Sequence, residues 1–283
     1  MQHRIEQISR EAGTKAVAAA FYDYETETAL SYRGSRWFHA ASTIKAAVLA
    51  AVFLAIEEDS FTLDSRVHIR NRFLSIIDGE PYRITPARDA NSKVQAAIGR
   101  TMKVVELAYH MIVTSSNLAT NLLLDLVEIE RAQQLLERLG VEGIELKRGV
   151  EDDKAHEAQI NNRVTADGLV RLFRMIHEGR GFSHDSSQKM LSILNQQEFN
   201  GGIPAGLPDI IRETASIGHK TGEISSVAHD AGVIHLPKRK PYVLAVLTEW
   251  DEDNSSNRME TVAKISEAVY QSLIDANKEG EGE

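Results

Sequence analysis

The sequence contains no cysteine, no excess of basic residues and no long apolar segment. The absence of cysteine excludes disulfides, thiol nucleophiles, iron–sulfur clusters and cysteine-ligated zinc. Asp and Glu total 41 against 32 Lys and Arg, a formal net charge of −9, so the basic surface that binds nucleic acid or an acidic membrane is missing. The longest apolar run, Ala46–Ile56, is too short to span a bilayer.

The first residues form a charged amphipathic stretch without the apolar core of a signal peptide. As written, the chain is expected in the cytoplasm, or outside it if a signal was removed. Its 283 residues, 42% hydrophobic and 26% charged, are typical of a globular protein with about two domains or one two-lobed unit. We expect no membrane span and no nucleic-acid partner, and the oligomeric state stays open.

The hydrophobic period changes along the chain. It is helical at 2–12, from residue 42 to about 195 and again at the C-terminus. The segments with the composition and alternation of strands are 16–24, 28–33, 214–220, 226–236 and 242–250.

This order predicts a mixed α/β (α+β) fold. One antiparallel sheet is built from both chain ends and flanked by the terminal helices, over residues 1–41 and 205–283. An all-helical lobe, residues 42–204, is inserted between them. A crevice between two such lobes is a usual place for a small-molecule site, so we expect the active site there.

Three short motifs occur in order along the chain: Ser42-Thr43-Ile44-Lys45, Ser115-Ser116-Asn117 and Lys220-Thr221-Gly222. Each motif alone also fits a helix cap, a helix–helix turn or a strand end. The first two have second copies, in Ser186–Lys189 and Ser255–Asn257. Context favours the first copies, because Ser42 directly precedes a long apolar helix whereas Ser186 and Ser255 lie in polar stretches and are expected at the surface.

The three motifs together are typical of an activated serine. A serine hydroxyl attacks well only when a neighbouring base accepts its proton, and Lys45 lies one helical turn from Ser42. Lys45 can act as a base only with a lowered pKa, to which burial and a nearby cation such as Lys220 would contribute. Lys220 also suits a substrate carboxylate.

The remaining motif residues have roles in the same chemistry. Ser115 suits proton relay, and Asn117 suits hydrogen bonding to a substrate amide. The backbone N–H groups of Ser42 and Glu223 are candidates for an oxyanion hole. No H-E-x-x-H pattern and no glycine-rich phosphate loop occurs in the sequence, so we expect no metal and no cofactor.

These motifs resemble those of the class A β-lactamases and penicillin-binding proteins, whose patterns are S-x-x-K, S-D-N and K-T-G. Two longer segments extend the resemblance: VVELAYHMIVTSSNLATNLLL at 104–124, and SIGHKTGEISSVAHDAGVIHL at 216–236. The order of strands and helices also fits that family. The chain is therefore identified as a member of the class A-like serine hydrolases, with Thr221 and Gly222 joining the expected substrate-binding residues.

Class A enzymes also carry a deacylating glutamate in an E-x-x-L-N loop after S-D-N. Here Glu157–Asn161 fits the looser pattern E-x-x-[LI]-N, although it lies close to Thr165, where the next helix is expected. By position, Glu151, Asp152 and Asp153 are equally available. We take Glu157 as the catalytic candidate and leave the other three open.

The resemblance implies a hydrolase that opens β-lactam amides through a serine acyl-enzyme. The alternatives are a penicillin-binding or sensor protein of the same fold, and a D-alanyl peptidase or esterase with slow deacylation. The substrate is a small β-lactam or a peptide-like acyl compound. Because the deacylating base is ambiguous in the sequence, we expect acylation to be faster than deacylation.

Overall fold

The computed structural model describes residues 1–251 and 257–280 of the chain. Its strands are, in chain order, β1 (Ala16–Asp23), β2 (Thr28–Tyr32), β3 (Phe38–His39), β4 (Arg66–His68), β5 (Phe73–Leu74), β6 (Pro81–Tyr82), β7 (Thr101–Lys103), β8 (Ile144–Glu145), β9 (Arg163–Val164), β10 (Ser216–Ile224), β11 (Val227–His235) and β12 (Tyr242–Glu249).

The α-helices are α1 (Gln2–Ala12), α2 (Ile44–Glu57), α3 (Ser92–Ala96), α4 (Val104–Val113), α5 (Asn117–Val127), α6 (Ile129–Arg138), α7 (Asp153–Glu157), α8 (Ala166–Glu178), α9 (His184–Leu194), α10 (Asp209–Arg212) and α11 (Arg258–Gly280). Short 3₁₀ helices cover Ala41–Thr43, Pro86–Arg88 and Ile203–Gly206. No helix within these described residues is long and apolar enough to cross a membrane.

The main sheet has five antiparallel strands in the order β10–β11–β12–β1–β2. Strand β1, from the start of the chain, pairs with β12, from its end, and Ala18 lies opposite Leu247. This confirms the predicted antiparallel sheet built from both ends of the chain. The lobe boundaries predicted at 41/42 and 204/205 stay a prediction.

Helices cover both faces of this sheet, because successive side chains of a strand point to opposite faces. On one face, Val17 packs in a cluster with Ile5 of α1 and Val262 of α11. On the other face, Ala18 belongs to a second cluster that includes Phe173 of α8 and most of α2. Full burial of one such aliphatic or aromatic side chain is worth about 1.5–3 kcal/mol. The terminal helices therefore flank the sheet, as predicted.

Helix α2 lies in the centre of the molecule. Eleven of its 14 residues are buried, and Lys45 is the only charged one among them. A helix that is apolar on all sides belongs in a protein core, and its alanines allow neighbouring elements to approach closely. The 3₁₀ turn that precedes this helix, Ala41–Thr43, is therefore fixed at the centre of the fold.

Some elements differ from the sequence prediction. The helical period expected from residue 42 begins as a 3₁₀ turn, because Ala41 has a left-handed backbone (φ 44°), and the chain becomes α-helical at Ile44. The strands of the small sheets β3–β9–β8, β4–β7 and β5–β6 are two or three residues long, too short to show a period.

Candidate active site

Ser42 sits in a tight turn that leads into α2. The turn is held by bonds from its own residues: the Ala41 N–H donates to Nδ1 of His39 at 3.0 Å, and the Thr43 hydroxyl donates to the Ala40 carbonyl at 2.5 Å. Ser42 is half-buried and borders the cleft between sheet and helices. At the start of α2, unpaired backbone N–H groups favour negative charge that develops on this serine or its substrate.

Strand β10 passes directly beside this turn at Gly222. A Cβ atom added to Gly222 would lie 2.8 Å from the backbone nitrogen of Thr43 and 2.9 Å from that of Ser42. Only glycine permits this approach, because both neighbours are backbone atoms. Since β10 is an edge strand, it has backbone groups that pair with no neighbouring strand. The approach brings the main chain of Gly222, the residue before Glu223, close to the Ser42 nitrogen.

Lys45 projects from the first turn of α2 and is fully buried. Its ammonium nitrogen donates to the Ser115 carbonyl at 2.7 Å, to the Ser115 hydroxyl at 3.0 Å and to Oδ1 of Asn117 at 2.7 Å. Burial, and after it the charge of Lys220, lower the pKa of Lys45 well below its ordinary value. A neutral amine at this position can accept a proton.

Lys220 is the second fully buried lysine of the site and lies on β10. It donates to the Thr221 carbonyl at 2.9 Å. Burial lowers the pKa of Lys220 to about 7, while the Asp230 carboxylate acts in the opposite direction. This lysine changes charge near neutral pH, unlike an exposed one.

The Ser115–Asn117 segment forms the turn between α4 and α5. Ser115 has a left-handed backbone with φ 57°, a strained conformation for a residue other than glycine. Ser116 caps α5, since its hydroxyl accepts from the Ala119 N–H at 3.1 Å. Asp89 accepts from the backbone N–H groups of Asn117 and Leu118 at 3.1 and 3.2 Å. These bonds compensate the strain and fix the direction of the Asn117 side chain.

Asn117 connects Lys45 to a carboxylate. Its Oδ1 accepts from Lys45, and its Nδ2 donates to Oε1 of Glu151 at 2.9 Å and to the Arg88 carbonyl at 2.6 Å. The other Glu151 oxygen lies 2.5 Å from Nε of Arg88. Burial raises the pKa of Glu151, and the charge of Arg88 is the largest effect that opposes it.

The structure separates the four acidic candidates of this loop. Glu157 is exposed at the end of α7, and it is not among the residues that line the cleft at Ser42, so the structure does not bring the sequence-predicted base to the site. Asp152 caps α7 and also accepts from the Ser75 hydroxyl at 2.9 Å. Asp153 pairs with Arg88 at the surface. Glu151 is the one of the four that contacts Asn117.

The local backbone conformation explains why Glu151, and not Glu157, lies at the cleft. Glu151 has a left-handed φ of 61°, and α7 begins directly afterwards, at Asp153. This turn directs Glu151 inward and leaves the later residues of the loop on the short helix outside. An E-x-x-[LI]-N match in sequence contains no information about this turn.

Two cavities meet at the serine. One, of about 300 Å³, is lined by Ser42, Asn117, Glu151 and Glu223, among others, and also by His39 and His156. The second, of about 510 Å³, is lined by Ser42, Ser115, Thr221 and Glu223, with Phe199 and Met259 at its side. A substrate bound over Ser42 can therefore extend in two directions.

The second copies of the motifs lie elsewhere. Ser186 and Lys189 are in α9, and Ser186 borders neither cavity at Ser42. The expectation that Ser186 is at the surface is wrong, because Ser183 caps a helix whose inner face buries Ser186 to 9% exposure. Ser255 lies outside the described residues, and Asn257 precedes α11, where its Oδ1 accepts from the Glu260 N–H at 3.4 Å.

Sequence reasoning missed Arg88, Asp89 and His39. Arg88 and Asp89 lie in an irregular stretch almost thirty residues before Asn117, and no motif connects the two segments. The only available signal was the turn composition of Asp89 and Asn91. Within residues 1–251 and 257–280, no group of three or more His, Asp or Glu side chains is arranged to hold a metal ion.

Known proteins resemble this chain over nearly its whole length. A β-lactamase of Bacteroides uniformis is 25% identical over 96% of this chain and 91% of its own. The ROB-1 β-lactamase of Haemophilus influenzae is 27% identical over 89% of this chain and 78% of its own. The structure of a mutant PBP-A, an acyl-enzyme complex with penicillin G, matches with a TM-score of 0.81 and 27% identity, covering 97% of both chains.

The family comparison agrees with the geometry. Residues 1–273 match the model of the beta-lactamase enzyme family, which is almost the entire chain. The match includes Ser42, Lys45, Asn117, Glu151 and Lys220. This chain belongs to the beta-lactamase enzyme family.

Proposed function

We propose that the protein is a serine β-lactamase that hydrolyses the β-lactam amide through an acyl-enzyme on Ser42. The observation that carries this proposal is the network centred on Asn117. One of its side-chain atoms accepts from the buried Lys45, and the other donates to Glu151. Asn117 thus binds two groups that can accept protons: Lys45, for the acylation of Ser42, and Glu151, for the deacylation.

In the acylation half, the Ser42 oxygen attacks the lactam carbonyl carbon and Lys45 accepts the serine proton. The carbonyl oxygen becomes negatively charged between the backbone N–H groups of Ser42 and Glu223. The carbon–nitrogen bond then breaks. The leaving nitrogen receives a proton through the Ser115 hydroxyl, which lies 3.0 Å from the Lys45 nitrogen. Lys220 and Thr221 bind the substrate carboxylate.

In the deacylation half, Glu151 accepts a proton from a water molecule whose oxygen attacks the ester carbonyl carbon. The ester bond to Ser42 breaks, and the proton that Glu151 took from the water is passed on to the Ser42 oxygen, which restores the hydroxyl and the carboxylate. General-base assistance of this kind is worth about 10²–10⁴-fold. A raised pKa makes Glu151 a stronger base than an exposed carboxylate, provided that it remains ionised at the working pH.

This arrangement favours a hydrolase over a receptor that traps penicillins. The sequence predicts slow deacylation because its deacylating base is ambiguous, with Glu157 as the candidate and Glu151, Asp152 and Asp153 left open. Glu151 occupies the cleft instead, next to Asn117 and facing the charge of Lys45. The curated relatives above are β-lactamases by name, and this supports the same interpretation.

The proposal is tested with penicillin G by intact-mass analysis and with nitrocefin by turnover. Wild-type protein is expected to turn over. Glu151→Gln is expected to form a stable adduct on the Ser42 peptide, with deacylation about 10²–10⁴-fold slower. Glu157→Gln is the matched control, an exposed carboxylate six residues further along the chain, and is expected to behave like the wild type.

Three outcomes overturn the proposal. The first is an adduct that persists in Ser42→Ala or maps to the Ser186 peptide. The second is trapping in Glu157→Gln but not in Glu151→Gln, which would return the catalytic base to the exposed end of the loop. The third is adduct formation without any turnover in the wild type, which would favour the penicillin-binding alternative.

A further inference from the structure

Arg88 lies between the loop that carries Glu151 and Asp153 and the turn that carries Asn117. Its Nε lies 2.5 Å from Oε2 of Glu151, and its two terminal nitrogens each donate to one oxygen of Asp153 at 2.8 Å. Its backbone carbonyl accepts from Nδ2 of Asn117 at 2.6 Å. One residue thus contacts three parts of the site through separate atoms.

Asn117 and Arg88 face different oxygens of Glu151. Oε1 accepts a hydrogen bond from Asn117, whereas Oε2 forms an ion pair with Arg88 and has no hydrogen-bond partner among the described residues. The carboxylate is therefore restrained by one hydrogen bond and one charge contact. The left-handed backbone of Glu151 adds a need for such restraint, because a non-glycine residue keeps that conformation only when its surroundings enforce it. The pair between Arg88 and Asp153 anchors the guanidinium itself.

We propose that Arg88 is the positioning residue of the deacylation step, orienting the Glu151 carboxylate toward the ester and keeping it ionised. This inference rests on the proposed function, in which Glu151 is the base. Arg88 need not touch the substrate for this role, and acylation does not depend on it. We therefore expect substitution of Arg88 to slow deacylation and to leave acylation nearly unchanged.

The charges around Glu151 determine how the removal of Arg88 changes the pKa of the Glu151 carboxyl. Burial raises the pKa of Glu151; Arg88 and, more weakly, Lys45 and Arg148 lower it, and Asp153 raises it. Arg88 has a side chain 49% exposed, so solvent screens part of its effect. Loss of the arginine charge therefore moves the Glu151 pKa upward.

Asp152 and His156 also border the cleft, which completes the set of ionisable neighbours on this loop. Asp152 is engaged by the Ser75 hydroxyl and by the backbone of α7. Its charge is retained in every variant proposed below. The variants at position 88 therefore change the charge of Arg88 and the pairing of Asp153, while the charge of Asp152 stays constant.

The shape of arginine matters as much as its charge. A guanidinium presents several N–H donors in a fixed plane and can bind two carboxylates at once, whereas a lysine ammonium is a point charge on a flexible stem. Arg88→Lys keeps a charge near Glu151 but cannot reproduce the paired contact with Asp153. Arg88→Met removes the charge and retains most of the apolar stem.

The experiment measures acylation and deacylation separately with penicillin G, by rapid mixing and by the decay of the adduct mass, from pH 4.5 to 9. In Arg88→Met, acylation should stay within about threefold of wild type, and deacylation near pH 6 should fall about tenfold or more. The acid limb, the pH range over which the deacylation rate falls as the pH is lowered, should move to higher pH by about one unit. In Arg88→Lys, that limb should stay near the wild-type position, while the rate plateau falls several-fold.

Arg70→Met is the matched control. Arg70 is also half-exposed and pairs with Asp125 at 2.7 Å, but it borders neither cavity at Ser42. It should leave both rates and the pH profile unchanged. Thermal melting of all variants shows whether each is folded. If Arg88→Met does not fold, Arg88→Lys provides the test, because a lower deacylation plateau with near-wild-type acylation is expected from loss of the arginine geometry alone.

Three results overturn the inference. Deacylation of Arg88→Met with wild-type rate and pH profile is the first. The second is an equal loss in acylation and deacylation without any shift of the acid limb, which indicates a purely structural role. The third is failure of Glu151→Gln to accumulate adduct, which removes the proposed function itself. Trapping in Glu151→Gln with an unaffected Arg88→Met rejects only the role of Arg88.

Discussion

At the scale of single residues, the two buried lysines of the site have different surroundings. Lys45 is enclosed by three acceptors from Ser115 and Asn117, and it is close enough to Lys220 to be affected by its charge. Lys220 donates to the Thr221 carbonyl on the edge strand. We expect Lys45 to transfer protons and Lys220 to bind substrate by charge.

The first prediction compares the two lysines by substitution with arginine. Lys45→Arg should abolish acylation, because a guanidinium stays protonated and cannot accept the Ser42 proton. Lys220→Arg should keep part of the acylation rate, because it retains the charge. Adduct formation with penicillin G, followed by intact mass, is the measurement. Wild-type acylation in both variants contradicts the lysine-base mechanism.

The second prediction concerns pH. Burial lowers the pKa of Lys220 to about 7, so in the free enzyme its ammonium is present below this pH and is lost as the pH rises through it. For a substrate with a carboxylate, kcat/KM should therefore fall on the alkaline side, starting near neutral pH. Lys220→Arg should remove that decline, since arginine does not titrate in this range. An alkaline limb unchanged in Lys220→Arg assigns it to another group.

At the scale of elements, the N-terminus of α5 organises the site. Asp89, 8% exposed, accepts from the Asn117 and Leu118 N–H groups and from the Ser116 hydroxyl. A carboxylate at a helix N-terminus satisfies free N–H groups and interacts favourably with the helix dipole. The helix and Asn117 are thus fixed by one buried acid from a separate loop.

The third prediction tests this acid. Asp89→Asn replaces one acceptor oxygen with a donor facing N–H groups, so it should lower the free energy of unfolding by about 2 kcal/mol. Acylation should also slow, because Asn117 and Ser115 lose their fixed position. Chemical denaturation and adduct formation measure the two effects. The exposed Asp64, changed to Asn, is the control and should alter neither by a comparable amount.

The elements also show how far the sequence determines the structure. Long periodic segments were predicted closely: α1 occupies Gln2–Ala12, as the helical period over 2–12 indicates, and the strand predicted over 242–250 is Tyr242–Glu249. The spacing of Ser42 and Lys45 was sufficient to place Ser42 in the turn that leads into α2 and Lys45 in the first turn of that helix. The identity of the loop carboxylate was not predictable, because it depends on the left-handed turn at Glu151 and on contacts with the distant Arg88.

At the scale of the whole molecule, the sheet joins the two ends of the chain into one core. Strand β1 lies between β12 and β2, and its side chains belong to clusters on both faces of the sheet. The helices around α2 pack on one of these faces. Such shared burial predicts cooperative unfolding, because loss of the sheet exposes the apolar face of the helices as well.

The last prediction follows from that shared core. Ile5 of α1 is fully buried in the cluster behind the sheet, so Ile5→Ala should destabilise the protein by about 2–5 kcal/mol. Far-ultraviolet circular dichroism reports mainly the helices, and fluorescence of the buried Trp250, in a Trp37→Phe background, reports the end of β12. Both transitions should shift together to lower denaturant concentration.

Under native conditions the folded fraction of Ile5→Ala should still acylate at the wild-type rate, because Ile5 lies on the opposite face of the sheet from α2. Ile210→Ala, at a side chain that is 75% exposed, is the control and should change stability by less than about 0.5 kcal/mol. If the fluorescence transition moves while the dichroism transition stays in place, the helical part folds independently of the sheet. The active site would then lie between two separate folding units, and its geometry would depend on how they dock.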